Sequence, residues 1–286
     1  MGSKARLNLI FTAVAFLTSL GTVVAYGQAA DELDMNKLEL TFNEEFDSLS
    51  VSPSGPNTRW IAHTPWGGDF GDARFADPRI GIFPFTTENG ILRIEARKNA
   101  DGKWESGLLA SVDPQGRGFS QQYGYFEIRT KLPSGPGVWP AFWIGSVTDK
   151  NAPASVEIDP LEYYGHSPEA YQIGVRVWRN PDDPKEPPGY VAPDGSRWFT
   201  HPEAVKVPPN SLTDDFNIYG VKVDPEWIVF YLNRKEVFRA KTPAEHKRPM
   251  HVLLNLALGS GWPIDKTPNP SYMYVDYVHV YKFKDR

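Results

Sequence analysis

Helical periodicity is almost absent from residue 31 onward, and that absence constrains the fold more than anything else in the chain. Short β-type runs recur instead. They are Leu38–Phe42, Ile91–Arg97, Gly107–Ser111, Tyr123–Leu132, Val138–Ile144, Val156–Tyr164, Gln172–Trp178, Phe216–Val223, Trp227–Leu232, Lys235–Arg239, His251–Leu258 and Met273–Phe283. Gly, Pro, Asn and Asp punctuate them, which is the pattern of an all-β sandwich or jelly roll. In Tyr123–Leu132, Tyr125, Glu127, Arg129 and Lys131 alternate with Phe126, Ile128, Thr130 and Leu132. That alternation predicts one core face and one polar face.

One run breaks the usual composition. Val156-Glu157-Ile158-Asp159-Pro160-Leu161-Glu162-Tyr163-Tyr164-Gly165 places three carboxylates within six residues of an apolar strand. Carboxylates are rarely buried without a partner or a task. Glu157 and Asp159 share a face at the strand period, whereas strict alternation turns Glu162 away. One extra residue, a β-bulge, returns Glu162 to that face, and Pro160 sits where a bulge excuses its missing ladder donor. Three acids in one row raise one another's pKa, so one of them can hold a proton near neutral pH. The competing reading is an edge strand with solvated acids.

Composition narrows the function classes. The 286 residues contain no cysteine, which removes disulfides, thiolate catalysis and Cys-bound zinc. The net charge is -5 at pH 7, with no basic run interleaved with aromatics, so nucleic acid and anionic membrane surfaces are poor partners. Residues 1–29 read as a signal peptide, with Lys4 and Arg6 before an apolar core and small residues at Gly27 and Ala29. The alternative is an uncleaved anchor. Export implies a secreted or periplasmic protein with no membrane attachment after cleavage; the lack of a composition break points to one mature domain over residues 30–286, and a monomer is expected. Two long irregular stretches, 49–88 and the Pro-rich 179–214, have the length of binding walls or lids. The chain carries 9 Trp, whose faces suit sugar rings as well as cores.

Several segments then converge. Gly124-Tyr125-Phe126-Glu127 and Gly137-Val138-Trp139-Pro140-Ala141-Phe142-Trp143 precede the acidic run. Phe42-Asn43-Glu44-Glu45-Phe46-Asp47 stands at one end of the chain. Leu254-Asn255-Leu256-Ala257-Leu258-Gly259 and Tyr274-Val275-Asp276-Tyr277-Val278-His279-Val280-Tyr281 stand at the other. In this order they resemble glycoside hydrolase family 16, and the acidic run resembles its Glu-x-Asp-x-x-Glu signature in the bulged form. The resemblance implies a β-jelly roll of two curved antiparallel sheets with a substrate cleft on the concave face. It implies Glu157 as nucleophile, Glu162 as acid/base and Asp159 as the acid that positions the nucleophile. It implies sugar contacts at Trp139 and Trp143; Trp66 and Trp262, both in loops, are further candidates, and Arg176, Tyr164 and His166, beside the acidic strand, border the cleft on this reading.

The resemblance needs no cofactor for catalysis and implies a structural Ca2+ at Glu45, the backbone of Gly90 and Asp276. It points to a retaining endo-glycosidase acting on a β-1,3- or mixed β-1,3/1,4-glucan. An exopolysaccharide, a galactan such as agar or carrageenan, transglycosylation and a non-catalytic carbohydrate-binding jelly roll are the alternatives. Two departures bear on the substrate: Arg176 and Asn217 stand where the family often carries His.

Overall fold

The computed structural model describes residues 33–149, 151–179, 198–200 and 203–284. The proposed signal segment and most of the Pro-rich stretch lie outside them. The only helical turns among the described residues are Met35–Lys37 and Ser211–Asp214, so the all-β expectation holds. No helix among them is long and apolar enough to cross a membrane.

Two sheets carry the chain. The first runs Lys235–Lys241, Trp227–Leu232, Asn217–Val223, Gly124–Lys131, Ser271–Phe283, Ile91–Lys98, Trp104–Ser106 and Arg74–Phe75, with Leu38–Glu44 and Phe85–Glu88 paired alongside. The second runs Trp198–Thr200, Ala170–Arg179, Ala154–Glu162, Val138–Ser146, Met250–Leu258, Leu108–Ala110, Trp60–Ile61 and Val51–Ser52, with Glu203–Lys206 beside Ala170–Arg179. This is a jelly roll. Its ladders are antiparallel except for two short parallel pairs, Val51–Ser52 with Trp60–Ile61 and Arg74–Phe75 with Trp104–Ser106. Every β-type run read from the sequence overlaps a strand. The additional strands are short pieces of the long irregular stretches, apart from Trp104–Ser106.

Alternation sorts the side chains into three layers. Phe126, Ile128, Phe142, Ile144, Val156, Ile158, Val175 and Val177 meet between the sheets in the main core. Each such side chain contributes about 1.5–3 kcal/mol on burial. On the other face of the second sheet, Ala141, Trp143, Leu253 and Ala257 form a smaller cluster with Ile61 and Phe75. The first sheet also has an outer cluster, Leu38, Tyr125, Val229 and Tyr231. That cluster corrects the reading of Tyr123–Leu132. Tyr125 and Glu127 are fully buried, and Glu127 is held by Arg234 at 3.1 and 2.7 Å. The supposed polar face is a second, covered one.

The stretch 62–77 folds back over the second sheet and becomes one wall above it. Asp72 N–H donates to Leu258 C=O at 2.9 Å. Gly71 next to it has φ +74°, and a Cβ there would lie 2.5 Å from the Leu258 carbonyl oxygen, so only glycine lets the loop approach. Phe75 N–H donates to Asp69 at 3.1 Å, and His63 stands between Asp69 and Asp77 at 3.5 and 3.2 Å. The irregular stretch is therefore tied to the sheet at several points.

Candidate active site

The acidic strand carries the expected bulge. Asp159 pairs with Gly174 and Glu162 with Gln172, so three steps on Ala154–Glu162 span two on Ala170–Arg179. The extra residue lies at Pro160-Leu161, and it returns Glu162 to the face that already holds Glu157 and Asp159. Ile158 and Leu161 go to the core instead. Glu157 stands across from Gly145, and Glu162 across from Ala141. The solvated-edge reading fails. Asp159 and Glu162 are buried, and the strand is paired on both sides.

One cation serves all three acids. Arg176 lies opposite Glu157 in the ladder. Its Nη1 donates to Glu157 at 2.9 Å and to Asp159 at 2.6 Å, and its Nη2 donates to Glu162 at 2.9 Å. Arg176, a candidate substrate contact in the sequence, holds the carboxylate row with its guanidinium. Each glutamate also accepts an indole N–H: Glu157 from Trp178 at 3.1 Å and Glu162 from Trp139 at 3.0 Å. Tyr164 donates to Glu162 at 2.8 Å.

Burial and charge act on this row in opposite senses. Burial drives the Asp159 carboxyl well above the usual range, and the neighbouring Glu157 charge adds to the rise. Burial also raises Glu157, against the pull of Arg176. The Tyr164 phenol is pushed up by burial and then by Glu162, so it remains a donor. Arg176 is held protonated by the three carboxylates despite its burial. A coupled row of this kind binds and releases protons as a unit.

Aromatic side chains extend from both ends of the row. Beyond Glu157, Trp66, Trp143, Trp178 and Arg248 line a cavity of about 630 Å³. Trp66 and Trp178 are half exposed, as a stacking surface requires. Trp143 faces the cleft but is packed, its indole donating to Asn255 at 2.9 Å. Beyond Glu162, Trp139 stacks on Tyr164 with ring centroids 6.1 Å apart. Tyr164 meets His166, and His166 meets Trp262 at 3.7 Å. Trp178 is the residue the sequence reading missed. Two positions from Arg176 on the same strand, it shares that face at the strand period.

The calcium positions fare differently. Glu44 pairs with Val278 and Leu92 with Val275, so Glu45 and Gly90 both approach the strand irregularity at Asp276. A Cβ on Gly90 would lie 3.5 Å from the Glu45 carbonyl oxygen. The carboxylates, however, face bases: Glu45 meets His279 at 2.8 Å, and Asp276 is paired with Arg129. The backbone converges there, but no group of three or more acidic or His side chains among the described residues could hold a metal. Calcium therefore rests on the resemblance alone.

Residues 84–279 match the family model for glycosyl hydrolases family 16. The chain belongs to that family. An endo-1,3-1,4-β-glycanase, ExsH, of Rhizobium meliloti (strain 1021) is 30% identical over 98% of this chain and 60% of its own length. A β-glucanase of Rhodothermus marinus is 27% identical over 86% of this chain and 85% of its own. The catalytic domain of an endo-1,3-β-glucanase (laminarinase) from Thermotoga petrophila RKU-1 superposes with a TM-score of 0.64 at 25% identity, covering 87% of this chain and 99% of that one. The chain spans 60% and 53% of the two Rhizobium meliloti glycanases it matches. The family 16 fold is thus shared across nearly the whole described chain, and the bulged acid row lies within the matched residues.

Proposed function

We propose that this chain is a retaining endo-β-glucanase that cleaves β-1,3- or mixed β-1,3/1,4-linked glucan. The observation that carries the reading is the pair Glu157 and Glu162, held on one guanidinium and each capped by an indole N–H, on the floor of an aromatic cleft. Relatives named as β-1,3-1,4-glycanases and a laminarinase support the substrate class.

Glu157 attacks the anomeric carbon while Glu162 protonates the departing glycosidic oxygen. Water, activated by Glu162, then releases the sugar from Glu157. A shared guanidinium supports the close carboxyl spacing, about 5–5.5 Å, that double displacement uses. Asp159 and Arg176 orient Glu157. Trp178 and Trp66 on one side, and Trp139 and Trp262 on the other, offer ring faces to sugars on both sides of the scissile bond. An endo-acting enzyme needs contacts on both sides. Export through residues 1–29 fits a polymer substrate too large to enter a cell.

Incubation with laminarin, lichenan, agarose and carrageenan tests the reading. Reducing ends, product sizes and the product anomer seen by proton NMR are the readouts. Oligosaccharides released from laminarin or lichenan, initially as the β-anomer, are the expected result. Initial α-anomer sinks the double displacement, and hydrolysis confined to a galactan sinks the glucan assignment. Sugar acceptors incorporated in preference to water mark a transglycosylase.

A further inference from the structure

Three donors hold Glu162, and they are not equivalent. Trp139 and Tyr164 donate to one carboxylate oxygen at 3.0 and 2.8 Å, and Arg176 donates to the other at 2.9 Å. An indole N–H and a guanidinium can only donate, whereas a phenol hydroxyl donates or accepts and rotates to suit its partner. Double displacement has Glu162 release a proton in one step and take one up in the next. Two of its partners suit only the ionised carboxylate. Of the three, Tyr164 alone suits both states.

The backbone fixes the phenol in that place. Past the strand Ala154–Glu162, Tyr163 N–H donates to Pro140 C=O and Gly165 N–H to Val138 C=O, each at 3.0 Å. Residue 165 has to be glycine, because a Cβ there would collide with the Gly135 carbonyl oxygen. The pairing of Ala141 with Glu162 thus continues, and it sets Trp139 directly across from Tyr164. Their rings stack nearly parallel, 14° apart. Two residues past Glu162, Tyr164 shares its face. Glu157 and Asp159 on the same strand, and Arg176 across from it, face the same carboxylate, and His166 meets the Tyr164 ring. Ser260, two residues before Trp262, is a second hydrogen-bond partner of the phenol.

We propose that Tyr164 is a positioning residue for the acid/base: its hydroxyl donates to Glu162 while the carboxylate is ionised and turns to accept when the proton returns. The inference rests on the assignment of Glu162 as acid/base in the β-glucanase reading above. The proton given to the departing glycosidic oxygen comes from Glu162, as Glu157 bonds to the anomeric carbon. Tyr164 keeps its own proton throughout, because burial and the Glu162 charge hold the phenol un-ionised. A donor to the new carboxylate makes that proton easier to release, so the benefit falls on substrates with a poor leaving group.

Tyr164→Phe keeps the stacked ring and removes the hydroxyl. On laminarin or lichenan its kcat is expected to fall about tenfold, the effect of one hydrogen bond, with KM little changed. The basic limb of kcat/KM, set by Glu162 losing its proton, is expected to move up by about one pH unit, because the carboxylate has lost a donor. A merely structural role predicts a lower melting temperature with that limb in place, and a limb that stays or moves down overturns the proposal. So does a change in KM alone, which would make the phenol a sugar contact. ¹³C NMR of the Tyr164 Cζ needs no Tyr164 variant to fold: a titration step is expected in the wild type and not in Glu162→Gln. A Cζ that titrates alike in both, or in neither, overturns the proposal as well. A wild-type enzyme that cleaves no β-glucan overturns the substrate reading, while the Cζ titration still decides whether Tyr164 follows the Glu162 proton.

Discussion

Trp139 donates its indole N–H to Glu162 at 3.0 Å, which ties the Trp-Pro-Ala-Phe-Trp motif to the last acid of the bulged strand. The bond exists because Ala141 pairs with Glu162, so Trp139, two residues earlier on the same face, lies diagonally across from the carboxylate. Hydrogen bonds to charged groups are worth about 1.5–3 kcal/mol. Trp139→Phe keeps a ring for stacking and removes that donor. It is expected to lower kcat roughly 10- to 100-fold with a small change in KM. An equal loss in KM alone would mean that the ring, not the N–H, matters.

Glu157→Gln and Glu162→Gln are each expected to cut turnover on glucan by roughly 10²–10⁴-fold or more. Both variants should retain the wild-type circular dichroism spectrum. The two differ on an activated aryl glycoside, whose leaving group needs no proton. There Glu162→Gln should recover the first step and Glu157→Gln should not. Equal behaviour on the aryl substrate would undo the division of roles.

Arg176 lowers the pKa of both Glu157 and Asp159, working against the burial that raises them. Replacing it by Gln removes that pull, so the carboxylates ionise only at higher pH. The acidic limb of the kcat/KM profile, set by ionisation of the nucleophile, should therefore move to higher pH. Stability should fall by about 3–5 kcal/mol, because buried carboxylates lose their counter-ion. A profile superposable on the wild type would show that another group controls the limb.

The fold and the acid row were legible because both depend on period. Strand alternation marked the core residues, and Pro160 inside an acidic strand marked the bulge that brings Glu162 back to the face of Glu157. What sequence period does not encode is which elements lie across from one another. Glu127, which is buried, read as a polar-face residue because its partner Arg234 is 107 positions away. Nothing in the sequence near Asp276 announces Arg129, 147 positions distant, which only the folded chain brings to it. Trp178 was within reach of the argument that identified Arg176, two positions away on one face, and was overlooked.

His63 gives the loop that carries Trp66 and Phe70 its own pH dependence. Its ring lies between Asp69 and Asp77, and the bond to Asp69, with Asp77 assisting, raises its pKa above 6.5 against the opposing effect of burial. A histidine whose pKa rises on folding stabilises fully below its unfolded value and loses that contribution as pH climbs through the folded one. The tether should therefore be complete below about pH 6.5 and weaken above it. Melting temperatures of wild type and His63→Leu should differ most near pH 5.5 and converge toward pH 8.5. Cleavage of glucan should be more sensitive to the substitution than cleavage of a short aryl glycoside, since the loop supports Trp66 and not the carboxylates. A gap in melting temperature that stays constant across that range would show that packing of the ring, rather than its charge, holds the loop.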